Sequence, residues 1–131
     1  MTDHAIMQLQ AEFARIACRQ CTEAGLQALR ESADRAAGVA GPWESRAAAY
    51  AEFHSLLANV TGGSAYYLLA RLTSGSMRDL ITRAGPESGE FIAAAHRGLI
   101  RKLEERDADG AAREMERYVA LLDRHQPAGA D

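Results

Sequence analysis

The chain has 131 residues, a formal net charge of −3, 47% hydrophobic residues and 25% charged ones. That is enough apolar material for one packed domain and argues against disorder. The acidic balance, with Lys and Arg interleaved among acids as in "IRKLEERDAD", gives no basic patch for nucleic acid. No run approaches the roughly 18 apolar residues of a membrane span. The opening "MTDHAIMQLQ" lacks a basic segment followed by an apolar one, so the expected location is the cytoplasm, with no membrane partner.

The apolar periodicity is helical from end to end. Ile6, Leu9, Phe13 and Ile16 form one face of a first helix, from about Asp3 to Cys21. Cys18 and Cys21 make a CxxC inside that pattern, without a second CxxC or a local His pair, and read as small helix residues. Thr22 is placed to cap a second helix that buries Leu26, Leu29, Ala33 and Ala36 and stops at "GVAGP", residues 38–42. A third helix starts around Pro42, with Trp43 anchoring its first turn, and ends at "TGG", residues 61–63.

Ser64 is placed to cap a fourth helix with Tyr66, Leu69, Thr73, Met77, Leu80 and Ile81 on one side. Tyr67, Leu68 and Leu72 spread around another side, and "TSGS", residues 73–76, is a candidate bend. A helix apolar on two sides is central or meets a partner subunit. After "AGPESG" the fifth helix carries Ile92, His96, Leu99, Ile100 and Leu103; after "RDADG" the sixth carries Met115, Tyr118, Val119 and Leu122. Six helices with short loops predict an all-α, mostly antiparallel bundle: one domain over residues 3–125 and a polar tail over 126–131. His4 and His125, near the ends, are expected to be solvated and disordered.

Three of these helices set a polar head into an apolar stripe. Tyr50 and His54 lie on the third, His96 on the fifth and Tyr118 on the sixth. If those stripes face one another, the four heads converge on an internal cavity, where helix bundles build ligand and metal sites. Truncating His96 to Ala should then remove ligand response and leave the bundle folded.

The order and spacing of three segments carry a resemblance. "LQAEFARIACRQCTEAGLQALRESADRA" (9–36), "AEFHSLLANVTGG" (51–63) and "AAAHRGLIRKLEERDADGAAREMERYV" (93–119) together resemble the FadR C-terminal, or FCD, effector domain of GntR-superfamily bacterial transcription regulators. The likeness runs over nearly the whole chain. It implies a dimeric sensor whose small-molecule effector, commonly an organic acid, biases the placement of paired DNA-binding domains. Those domains are N-terminal winged helix-turn-helix units, and none is present in this chain, so DNA would be reached only through a reader carried elsewhere.

Most members of that family hold a divalent metal, often zinc, with an Asp, a His one turn later, a His on the penultimate helix and a His on the last. The second and third positions fall on His54 and His96; the first and fourth fall on Tyr50 and Tyr118. A neutral phenol with a pKa of about 10 is a poor divalent ligand at neutral pH. His54 and His96 are thus the only two of the four left for a zinc or nickel ion, and no cofactor is required on this reading. Members that work without metal bind an organic effector directly, and here Tyr50, His54, His96 and Tyr118 would orient it. The homodimer the resemblance implies would use Tyr67, Leu68 and Leu72. Two other readings remain: a helical interaction module with a satisfied polar core, and a small helical enzyme using His54 and His96 as acid and base.

Overall fold

The computed structural model describes residues 2–60 and 65–126, with side chains at 65–67 and 70 outside the description. Six helices account for these residues: α1 (Asp3–Gln20), α2 (Glu23–Gly38), α3 (Trp43–Asn59), α4 (Ala65–Ala84), α5 (Gly89–Glu104) and α6 (Ala108–Arg124), with a 3-10 turn at Pro86–Ser88. Among the described residues there is no strand, and the architecture is the all-α bundle the periodicity predicts. No described helix is long and apolar enough to cross a membrane. The Ser64 cap and the Tyr66 and Tyr67 side chains lie outside the described residues.

Local chemistry sets the helix ends. Thr2 and Thr22 cap α1 and α2, their hydroxyls accepting from Ala5 N and Gly25 N at 3.1 Å each. Asp107 caps α6 by accepting from Gly110 N at 2.9 Å. Gly25 has a packing reason as well: a Cβ there would come within 2.9 Å of Val60 Cγ1, where the start of α2 meets the end of α3. Trp43 anchors α3 by donating its indole N–H to Thr82 O on α4, 3.0 Å away. Arg106 adopts a left-handed φ of 57° after α5, and its guanidinium donates to Cys18 O (3.1 Å) and Cys21 O (2.8 Å), closing the end of α1. Cys18 and Cys21 are free and buried. Burial is the main reason that the Cys18 thiol is pushed up to about 11, so it is no nucleophile at neutral pH.

The most extensive pairing is α1 against α6, antiparallel, followed by α3 against α4. Leu29, Phe53, Leu80, Ile92, Leu103 and Met115 are buried at the centre. Two expectations change. On α1 the buried stripe turns by about one residue: Gln10, Ala14 and Ala17 go inside while Leu9 and Ile16 stay half-buried, because the Gln10 amide finds partners in the core. The 73–76 segment lies within α4, with Thr73 buried. His4 lies in the first turn of α1, and His125 caps α6 with Nδ1 2.8 Å from Leu121 O, so both belong to ordered helix ends. The Gln126 amide donates to Leu122 O (2.8 Å) and Leu80 O (3.3 Å), and the rest of the tail, residues 127–131, lies outside the described residues.

A buried His-Tyr-His relay as the candidate functional site

His54 on α3, His96 on α5 and Tyr118 on α6 meet at the middle of the bundle. The Tyr118 hydroxyl oxygen is 3.0 Å from His54 Nε2 and 3.0 Å from His96 Nε2. The His54 Nδ1 atom is 3.1 Å from Gln10 Oε1 on α1, and the Gln10 amide nitrogen donates to Thr73 Oγ1 on α4 at 3.2 Å. Five helices therefore each contribute one group to a single hydrogen-bonded chain, and each of these residues is 2% exposed or less.

The chain has a polarity. An amide oxygen only accepts, so His54 Nδ1 carries the proton and its Nε2 is the acceptor. Tyr118 then donates its O–H to His54 and uses a lone pair to accept from His96 Nε2–H. The remaining ring nitrogen, His96 Nδ1, is an acceptor, and it is buried without a hydrogen-bond partner. Burial pushes the His54 imidazole down to about 3, and it holds His96, which also faces His54, well below the ordinary histidine value. Burial, with the Tyr50 phenol nearby, pushes Tyr118 well above its ordinary value. All three groups are neutral at pH 7, as the hydrogen-bond directions require.

Ring packing fixes the geometry. Phe53 stacks on His96 at 4.1 Å between centroids and 9° between planes, and Tyr118 stacks on His54 at 5.6 Å and 23°. Tyr50 is buried, but it joins through ring contacts, edge-on to His96 at 6.2 Å and tilted on Trp43 at 6.1 Å. Of the four residues singled out in the sequence, His54, His96 and Tyr118 thus share hydrogen bonds, and Tyr50 packs beside them. Their polar heads touch one another. Truncating His96 to Ala would accordingly empty a stacked, hydrogen-bonded position in the core.

Gln10, Thr73 and Phe53 belong to this set and were not signalled as such. A glutamine one position off a hydrophobic stripe reads as exposed; only the partner helices reveal that it faces in. Thr73 reads as part of an apolar side, where its hydroxyl carries no pattern.

The donors do not fit the divalent metal that most relatives implied by the resemblance hold. A phenol hydroxyl fills the position between the two histidine Nε2 atoms, and among the described residues no carboxylate is hydrogen-bonded to either ring. Among the described residues, no cluster of three or more His, Cys, Asp or Glu is arranged to hold an ion.

On the protein surface, Tyr118 also forms part of a groove of about 280 Å³ between α5 and α6, with Phe91, Gly98, Arg101, Glu114 and Arg117 around it. Other described grooves lie between the start of α1 and the end of α6, and between α3 and α4.

The described residues thus form an all-helical bundle with a neutral polar relay across its helices. The comparison with protein families identifies it: the FCD domain matches residues 4–121, and the chain belongs to that family. It is thereby the C-terminal domain type of GntR-family transcription regulators, a regulatory domain class that generally takes small-molecule effectors. No curated protein and no solved structure matches the chain.

Proposed function

We propose that this chain is the effector-sensing and dimerisation domain of a cytoplasmic GntR/FadR-type regulator, responding to a small organic acid without a metal. Tyr50, His54, His96 and Tyr118 are the residues we assign to effector response, and no catalysis is assigned to them. The observation that carries the reading is the relay itself. It links α1, α3, α4, α5 and α6, and it leaves one buried acceptor, His96 Nδ1, open. A ligand group that engages this set shifts hydrogen bonds on five helices at once, and a ligand moves the equilibrium only through its differing affinity for the two arrangements.

Dimerisation is assigned to the exposed apolar side of α4. Leu68 and Leu72 are 65% and 74% exposed there, unusual for leucines in a bundle of this size. Tyr67, the third residue of that assignment, has its side chain outside the described residues.

The test is a thermal-shift screen of the purified chain with small carboxylic acids, with zinc, nickel and manganese, and with chelator. The expected result is stabilisation by an organic acid that is insensitive to chelator and lost in His96→Gln. Stabilisation by zinc or nickel alone, lost in His54→Ala, would overturn the metal-free reading.

A second reading is favoured by one observation. The relay satisfies nearly all of its own valences, as a purely structural polar core would, and the chain would then be a helical interaction module. Absence of a shift with every acid would select it.

A further inference from the structure

The groove between α5 and α6 lies outside the relay, and Tyr118 alone belongs to both. The groove is partly open to solvent. Its volume of about 280 Å³ falls just under the roughly 300–1,000 Å³ of sites for drug-sized molecules, which limits an occupant to a few heavy atoms beyond a headgroup. Gly98 on α5 is buried at the base of the groove, beneath Glu114 and Arg101. From the Cβ position that Gly98 lacks, Glu114 Oε2 is 3.4 Å away and Arg101 Nη2 3.8 Å away, so groups from both helices converge on that point.

The charges around it do not cancel. Glu114 accepts from Arg117 Nη2 at 3.0 Å, while the Arg101 guanidinium makes no described hydrogen bond or ion pair. Two guanidinium groups against one carboxylate leave one positive charge at the mouth of the groove. The other lining residues include Phe91 and Leu121, which offer apolar surface. A planar guanidinium pairs with a carboxylate through two parallel N–H donors, and a short carbon tail would lie against the apolar residues.

We propose that the α5–α6 groove is a binding site for a small organic anion, a carboxylate with a short apolar tail, held by Arg101 and Arg117 above Tyr118. The proposal goes beyond the preceding reading, because the anion's partners are these arginines and not the histidines. Seated there, the ligand contacts the residue at the centre of the relay from its solvent side.

The experiment uses hexanoate as the probe and hexanamide, of the same tail and no charge, as its control. Both are titrated into the full chain up to about 10 mM and followed by ¹H–¹⁵N NMR, a range that captures binding in the millimolar class. The expected result is saturable shifts at the Gly98 amide and the Arg101 and Arg117 side chains, with hexanamide at least about tenfold weaker. Binding should be lost in the double variant Arg101→Gln/Arg117→Gln. Equal binding of hexanamide, or no saturable shift at Gly98, would overturn the proposal. Hexanoate binding kept in the arginine double variant and lost in His96→Gln would also overturn it, while leaving the histidine-centred reading in place.

Discussion

Tyr118 holds two histidines at once, donating to His54 Nε2 and accepting from His96 Nε2–H, each across 3.0 Å. Replacing it with Phe keeps the ring and its stacking on His54 but leaves a buried acceptor and a buried donor unmatched. Each unmatched group costs about 1–3 kcal/mol, so Tyr118→Phe should lose roughly 2–6 kcal/mol in urea denaturation. A variant as stable as the parent would mean that the relay contributes nothing to the fold.

The same hydroxyl stands where the family's usual pattern has a histidine. The double variant Tyr50→Asp/Tyr118→His should therefore bind zinc more tightly than the parent, read as a metal-dependent rise in melting temperature reversed by chelator. If the parent already shows that rise, the tyrosines do not exclude the ion.

Stability should fall on mild acidification. His54 is held at about 3 in the folded chain and returns to about 6.5 when unfolded, so between these values the unfolded state binds the extra proton. Its contribution is fully present above pH 6.5 and is lost as pH falls toward 3; His96 acts in the same direction. The loss is on the order of a few kcal/mol. Equilibrium unfolding from pH 8 to pH 4 should show it, and a His54→Gln variant should have a flatter profile over that window. Equal slopes for both would assign the acid sensitivity elsewhere.

His96→Ala removes a ring that is fully buried and stacked on Phe53. Loss of a core ring with its cavity should cost about 2–4 kcal/mol. His96→Gln, which can still donate to Tyr118, should recover part of that. Chemical denaturation of the two variants side by side checks the order.

Leu68→Glu with Leu72→Glu should shift a dimer to monomer in light scattering after size-exclusion chromatography, with the helical signal unchanged. A dimer that survives both charges places the interface away from this side of α4.

How much of this was legible depended on which side chains announce themselves. The six helices follow from apolar spacing and from caps such as Thr22, because those signals are local. His54, His96 and Tyr118 stood out because an aromatic polar head in an apolar stripe is unusual, and spacing within a known family pattern tied them together. Gln10 and Thr73 were hidden for the opposite reason. Whether a glutamine beside a stripe faces in depends on which helix packs there, and α1 is placed by α6, roughly a hundred positions away in the chain. The Arg101–Arg117 pair was equally hidden, since one arginine on each of two helices has no sequence signature until the helices are laid together.

That α1–α6 pairing has a topological consequence. Arg15 and Asp109 form an ion pair at one end of it, and the Asp3 carboxyl faces Asp123 at the other, raising the Asp123 pKa. The two ends of the described chain lie side by side, so the fold is close to a ring. A circular permutant joined between the ends and opened at residues 39–41, where the backbone is irregular and Gly41 takes a left-handed φ of 110°, would keep every helix intact. It would also turn the longest-range helix pairing of the bundle into a local hairpin. Because closure of distant contacts slows folding, the permutant should reach the native bundle faster than the natural connectivity does.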